Sequence, residues 1–287
     1  MRILVLGITG MLGSAVFKAL CETGQFQVWG SQRGSSPHTK LAGFSSAGIF
    51  TGLDVLDQDA LVGAFNTVKP DVVINCVGLI KQLDQANNPL VALPINAMLP
   101  HRLLQLCALA GARLVHVSTD CVFNGKKGYY LESDPSDAED LYGRSKYIGE
   151  LHDSLHAITL RTSIIGHELG TSFALLEWFL AQQGGVKGFS KAIFSGVPTC
   201  ELARIIIDYV LPNPQLYGLY HVAAEPISKL NLLQLIAAEY GVHTTITPDS
   251  GLVIDRSLCA KRFQQASGYT APNWPDLIQK MRRSRIQ

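Results

Sequence analysis

Tyr142 and Lys146 stand four residues apart in Tyr142-Gly143-Arg144-Ser145-Lys146. On a helix that spacing puts both side chains on one face, within reach of one bound molecule. A phenol of pKa about 10 is a poor acid–base group at neutral pH until a nearby cation lowers it. Lys146 offers such a cation and can also hydrogen-bond a ribose. A hydroxyl from Thr119, or from Ser118, in Ser118-Thr119-Asp120-Cys121-Val122-Phe123-Asn124-Gly125 can donate to a carbonyl oxygen where charge develops. Taken singly, the Tyr/Lys pair is an ordinary helix-surface pattern and the hydroxyl pair an ordinary turn.

Their weight comes from Gly7-Ile8-Thr9-Gly10-Met11-Leu12-Gly13 near the start of the chain. Glycines placed between a strand and a helix allow a tight turn, close approach of backbone to a pyrophosphate, and close helix–strand packing. The helix N-terminus adds free N–H groups and the positive end of its dipole. The segment therefore reads as a dinucleotide turn, with Thr9, Met11 and Leu12 beside the glycines. At the end of the second predicted strand, Ser31-Gln32-Arg33 holds no acidic residue to meet ribose hydroxyls, whereas Arg33 with Ser31 suits a 2′-phosphate. NADP(H) is expected in preference to NAD(H).

The elements that must position these residues alternate. Strands are predicted at Ile3–Leu6, Gln27–Gly30, Ile49–Asp54, Val72–Val77, Leu114–Ser118 and Ile158–Arg161, with helices at Leu12–Glu22, Gln58–Val68, Asn96–Ala110 and Leu141–Leu155. That alternation predicts an α/β fold with a doubly wound parallel sheet of Rossmann type, residues 1–165 forming the dinucleotide-binding domain. Beyond it the pattern predicts a helix at Ser172–Gln182, a strand around Gly188–Phe194, a helix at Thr199–Val210 and a strand near Tyr217–Ala223. Helices recur at Lys229–Tyr240, Ser257–Gln265 and Pro275–Arg283. Residues 166–287 read as a smaller mixed lobe for substrate, with the stretch from about 195 to 223 returning to the first domain.

Composition narrows the function classes. Of 287 residues, 47% are apolar and 16% charged, with a formal net charge of +1; charged residues are thus well below the roughly 25% usual for soluble domains. A large core is expected, with no basic stripe for nucleic acid; the short run of Lys280, Arg282, Arg283 and Arg285 reads as a solvated tail. No uninterrupted apolar run nears the roughly 20 residues that cross a bilayer, and the glycines break up the start of the chain, which otherwise resembles a signal peptide. Six dispersed cysteines without C-x-x-C or zinc-type spacing point to reduced thiols and a cytoplasmic location. His152 and His156 share a helical face but lack the glutamate of H-E-x-x-H, so no metal is expected. Cys76 and Cys121 border the site without an evident base to make either a nucleophile.

Together the glycine turn, S-T-D, Y-x-x-x-K and their order resemble the extended short-chain dehydrogenase/reductases. Residues 71–75 (DVVIN), 112–125 (ARLVHVSTDCVFNG), 142–146 (YGRSK), 160–163 (LRTS) and the tail from Asp255 through Trp274 resemble the dTDP-4-dehydrorhamnose reductase family more closely. That resemblance implies NAD(P)H-dependent reduction of the 4-keto group of a nucleotide-linked 6-deoxyhexose, for cell-surface polysaccharide. It implies Thr119 as the carbonyl-binding hydroxyl, Tyr142 as proton donor and Lys146 as the residue tuning it. Gly7, Gly10, Met11, Leu12 and Gly13 match the pyrophosphate turn, Asp54 and Val55 the adenine contacts, and Cys76, Val77 and Gly78 the nicotinamide side. Substrate contacts are expected from Thr119, Asp120, Phe123, Tyr142 and Ile164. The departures are Cys121 where the family has tyrosine, Ile164 where it has an aromatic residue, and Cys76-Val77 where it has alanines. Expected partners are a nucleotide-diphosphate sugar and at most a second copy of the chain as a homodimer, with neither nucleic acid nor membrane. Two alternatives stand beside the reductase: an epimerase or dehydratase of the same superfamily, and a non-catalytic NADP-binding regulatory subunit.

Overall fold

Runs such as Val72-Val73-Ile74 fold into strands covered on both faces, because alternate side chains enter opposite cores. The computed structural model describes residues 1–81 and 84–286. The chain runs through β1 (Arg2–Leu6), α1 (Met11–Thr23), β2 (Gln27–Ser31), β3 (Gly48–Phe50), α2 (Gln58–Val68) and β4 (Val72–Asn75). Then come α3 (Pro89–Ala92), α4 (Leu99–Ala110), β5 (Arg113–Thr119), α5 (Leu141–Ile148), β6 (Ala157–Thr162), β7 (Ile164–Ile165) and α6 (Leu175–Leu180). After these follow β8 (Val186–Phe189), β9 (Ala192–Phe194), β10 (Val197–Pro198), α7 (Thr199–Ile205), β11 (Gly218–His221) and β12 (Ile227–Ser228). The chain finishes with α8 (Lys229–Tyr240), β13 (Ile246–Asp249), β14 (Ile254–Asp255), α9 (Lys261–Ser267) and α10 (Trp274–Arg283).

Seven strands pair in the order β3-β2-β1-β4-β5-β6-β11, every neighbour parallel. Chain order reverses between β1 and β4, which opens a crevice beyond their C-terminal ends. On one face Ile3, Val5, Ile74, Val115 and Ile158 join a core with residues of α1, α7 and α10. On the other, Leu4, Leu6, Val73 and Leu114 meet Leu61 and Phe65 of α2 and Leu99 and Leu103 of α4. The doubly wound α/β architecture is as the alternation predicts, and β11 joins the sheet's edge from late in the chain. Small sheets, β12-β9-β14, β13-β8 and β10-β7, build the remaining lobe.

Several boundaries differ from the sequence reading for local physical reasons. The helix at Leu141 ends at Ile148 rather than Leu155, because Glu150 and Leu151 both turn into the interior. The helix before β5 begins at Pro89, with a wide turn over Leu93–Met98 between α3 and α4. The strand around Gly188–Phe194 is two strands, because Val186–Phe189 pairs with β13 while Ala192–Phe194 pairs with β12 and β14. The helix expected from Ser257 starts at Lys261, since Ser257 and Cys259 instead hydrogen-bond around Tyr129 and Tyr130. The 22-residue helical run Pro89–Ala110, of mean hydropathy 1.2, is long and apolar enough to cross a membrane, although polar residues interrupt it. It packs Leu99, Leu103 and Cys107 against the sheet as a core helix.

Candidate active site

The glycine turn closes over the crevice. Gly7 has φ +81°, in the left-handed region, and its amide and that of Ile8 donate to the Ser31 carbonyl at 3.1 and 3.0 Å. A Cβ on Gly13 would stand 2.1 Å from the Gly7 carbonyl oxygen, so only glycine lets α1 start this close to β1. Gly10 caps α1 without any side-chain hydrogen bond, and no acidic residue occupies the first turn. That uncapped, carboxylate-free helix end fits a pyrophosphate. Thr9 and Gly10 are exposed and Met11 half-buried there, while Leu12 is buried behind them. A Cβ on Gly7 would also come within 2.9 Å of Val77 Cγ2, which shows that the turn and the segment after β4 face each other across the switch point.

The residues expected around the two ends of a dinucleotide separate in character. Arg33 is exposed beyond β2, but the Ser31 hydroxyl is buried and turned to the Gly7 amide at 3.4 Å. Ser31 therefore shapes the turn, and of the two only Arg33 presents its side chain at the surface. Asp54 is exposed, with Oδ1 accepting the Leu56 amide at 2.9 Å, and Val55 packs beside the core. Cys76, Val77 and Gly78 continue from β4 into the crevice, where a Cβ on Gly78 would lie 3.8 Å from Lys146 Nζ.

The catalytic candidates meet where β5 ends. Thr119 caps a short turn over Asp120–Val122: its Oγ1 accepts the Cys121 amide at 3.1 Å and donates to Asp120 Oδ1 at 3.2 Å. Asp140 caps α5 by accepting the Gly143 amide at 2.8 Å, so Tyr142 sits in the first helical turn. A Cβ on Gly143 would lie 2.2 Å from the Cys121 carbonyl oxygen, so glycine lets α5 lie flush on that turn. Tyr142 is thereby brought beside Thr119 and Cys121, which both act on its phenol. Lys146, one turn on, is buried and donates from Nζ to the Val117 carbonyl at 2.9 Å.

The electrostatics revise one expectation. Burial raises the Tyr142 phenol above its ordinary value, the neighbouring Cys121 adds to this, and Thr119 opposes it. The Lys146 ammonium is turned to the Val117 carbonyl. Tyr142 is thus a protonated phenol at neutral pH, the form that donates. Burial pulls Lys146 down to about 8, against the influence of Glu150 and Cys76. The Cys76 and Cys121 thiols are each pushed up to about 12 by burial and stay neutral. Burial also raises the Asp120 carboxyl, with Arg256 the foremost opposing charge.

Two further placements bear on substrate. Phe123, expected among the substrate contacts, has its ring wholly buried and stacked on Tyr130 at 4.0 Å, while its carbonyl accepts from Arg256. Ile164 is half-buried on β7 beside β10. Arg256, which lies in the Asp255–Trp274 tail but carries no expected role, reaches over from the far lobe: Nε donates to the Phe123 carbonyl at 2.7 Å and Nη1 lies 3.9 Å from Cys121 Sγ. Asn96 was also missed; its Oδ1 accepts the Leu79 amide at 2.9 Å and its Nδ2 donates to Ser145 Oγ at 3.2 Å. Asn96 is an isolated polar position in an apolar run and Arg256 lies 114 residues past Tyr142, with nothing in their spacing to connect either to it.

The dTDP-4-dehydrorhamnose reductase of Aggregatibacter actinomycetemcomitans is 28% identical over 235 residues, 78% of this chain and 74% of that one. Methionine adenosyltransferase 2 subunit beta of Mus musculus is 31% identical over 172 residues, 58% of this chain and 48% of that protein. A solved dTDP-4-dehydrorhamnose reductase from Bacillus anthracis in complex with NADP has a TM-score of 0.79 at 22% identity, covering 98% of each chain, and so shares the fold. The family model described as the RmlD substrate binding domain matches residues 1–266, from the first strand into α9. The glycine turn, the strand end at Thr119 and the helix bearing Tyr142 and Lys146 all lie inside that match, and the chain belongs to the RmlD substrate binding domain family.

Proposed function

We propose that this protein is an NADPH-dependent reductase acting on the 4-keto group of a nucleotide-linked 6-deoxyhexose. The observation that carries this reading is the meeting of Thr119 and Tyr142 at the end of β5, with Lys146 one helical turn on beside the segment after β4. The uncapped start of α1 and the Gly7 turn suit the pyrophosphate of the cofactor, and Arg33 its 2′-phosphate. NADP(H) is favoured, with NAD(H) an accepted substitute. When bound, the reduced nicotinamide would supply the hydride for the sugar carbonyl carbon. Thr119 holds the carbonyl oxygen, and Tyr142 gives it the phenolic proton as negative charge develops there. Lys146 keeps a positive charge near the phenolate left behind, which regains its proton from solvent. Arg256 brings a cation to the sugar side, fitting a substrate that carries a diphosphate. The setting is cytoplasmic synthesis of a polysaccharide sugar, with a homodimer as the largest assembly the reading needs.

A second reading is favoured by the likeness to a subunit of methionine adenosyltransferase: a non-catalytic NADP-binding regulatory subunit. A pure binder has no need of Thr119, Tyr142 and Lys146 together. The deciding experiment follows NADPH absorbance in the presence of dTDP-, UDP- and GDP-linked 4-keto-6-deoxyhexoses. Oxidation with any of them supports the reductase, whereas tight NADPH binding without turnover across the panel supports the regulatory subunit. Tyr142→Phe is expected to retain NADPH binding and lose turnover, and unchanged turnover refutes the proton-donor role.

A further inference from the structure

Toward the C-terminal ends of β5, β6 and β11, one face of the sheet turns from apolar to polar. Beyond Leu114 it carries His116 and Ser118 on β5, Arg161 on β6 and His221 on β11, all buried. Glu150, two residues past the end of α5, turns inward to meet them. Its Oε1 accepts from Ser118 Oγ at 2.7 Å and from Arg161 Nε at 2.8 Å, and its Oε2 from Arg161 Nη2 at 2.5 Å. Arg161 Nη1 donates to His221 Nε2 at 2.8 Å, and the guanidinium lies 5.0 Å from the Phe123 ring centroid. Burial, then the charge of Arg161, lowers His221 to about 3, so its imidazole is neutral and able to accept. His152 Nε2 approaches Glu150 Oε2 at 3.5 Å from the more exposed side.

A buried ion pair is a poor device for stability alone, since well-packed apolar residues often serve as well or better. Its location suggests a different purpose. The Val117 carbonyl holds Lys146, and the hydroxyl of the next residue, Ser118, holds Glu150. A single strand end thus anchors both the cationic residue of the site and the carboxylate four positions after it. The other titratable groups acting on this region are Cys76 after β4, His116 on β5, His101 on α4 and, at His221, Glu132 and Asp134. The bulged stretch Leu93–Met98 packed on α5 brings no charged residue. Glu150 is the one carboxylate acting on Lys146 among the described residues, and Arg161 bonds that carboxylate through Nε and Nη2.

We propose that Glu150 is a positioning residue for the reduction: pinned by Arg161 and Ser118, it fixes the end of α5 and keeps Lys146 cationic above the Val117 carbonyl. This rests on the reductase reading of the site. The test is an NMR titration of isotope-labelled lysine ε-carbons, with the Lys146 signal assigned through Lys146→Arg, run beside the pH profile of NADPH oxidation. Glu150→Gln keeps the shape and removes the charge. The Lys146 midpoint is expected to fall by about one pH unit, raising the amine fraction at pH 7 roughly fivefold. The alkaline limb of kcat/KM moves to lower pH with it, and Glu150→Asp restores both. Because Glu150→Gln leaves a buried guanidinium without its charge partner, the pair Glu150→Gln with Arg161→Met serves where the single variant does not fold; there the fall keeps its direction but is smaller, since the opposing Arg161 charge goes too. An unchanged Lys146 midpoint in the folded variants overturns the proposal, and so does a loss of thermal stability alone. The titration needs no turnover, so a chain that reduces no sugar refutes the reductase reading while leaving the Lys146 measurement to judge Glu150.

Discussion

Gly143→Ala sets two effects of opposite sign against each other. In a helix interior, alanine in place of glycine stabilises by about 1 kcal/mol. At this position, however, the new Cβ would stand 2.2 Å from the Cys121 carbonyl oxygen and 2.7 Å from Ala138 Cβ. Neither neighbour is the free end of a flexible chain, so relief requires α5 to lift from the Asp120–Val122 turn by about 1 Å. Overpacking of this kind costs about 1–3 kcal/mol, which outweighs the gain in propensity. The same lift separates Tyr142 from Thr119, and a displacement of about 1 Å at a reacting group can cost on the order of 100-fold in rate. Gly63→Ala on α2 is the control, because nothing lies within 4 Å of its added Cβ. Thermal melts and NADPH oxidation on both variants decide the matter. Gly63→Ala should be as active as the parent and about 0.5–1 kcal/mol more stable. A Gly143→Ala protein that behaves like Gly63→Ala refutes the close-packing account of how Tyr142 is placed.

Other outcomes follow from the same geometry. Gly13→Ala, whose Cβ would meet the Gly7 carbonyl oxygen at 2.1 Å, should abolish NADPH binding measured by fluorescence while far-UV circular dichroism stays close to that of the parent; binding within threefold of the parent contradicts the role given to the turn. Lys146 is cationic below about 8 and neutral above it, so kcat/KM should be flat near neutrality and decline as pH rises through 8; a decline only above pH 10 means that the lysine charge is not required. Arg33→Asp should weaken NADPH more than NADH in paired titrations, and equal weakening of both removes Arg33 from the 2′-phosphate. Cys121→Ser should leave turnover within a few-fold of the parent, because the thiol is held neutral by burial at about 12; loss of all turnover makes it a participant.

Much of the site was legible because its signals are local. Gly7, Gly10 and Gly13 mark a turn through their spacing alone, and Tyr142 and Lys146 declare a shared helical face by standing four apart. The apolar runs at Ile3–Leu6, Val72–Ile74 and Leu114–Val117 report burial on both faces before any partner strand is known. What could not be read depends on which residues are brought together across the sheet. Ser31 and Arg33 are near neighbours in sequence, yet the first is buried under the Gly7 turn and the second exposed. Phe123 follows the S-T-D segment but belongs to a stack with Tyr130.

The sequence alone determined the class of chemistry: a phosphate-binding turn and a phenol–amine pair on a parallel α/β frame, with net charge near zero. Tertiary structure decided the charge states. Burial makes Tyr142 a firmer acid-form phenol and Lys146 a weaker base; of the groups opposing it, Thr119 lies 23 residues from Tyr142 and Cys76 70 from Lys146, while Glu150, four residues on, is itself held from β5 and β6. Arg161 reaches Glu150 across 11 residues, His221 reaches Arg161 across 60, and Arg256 reaches Cys121 across 135. Spacing along a helix fixes which side chains share a face, but desolvation and Coulomb interactions depend on distance in space, which only the folded sheet supplies.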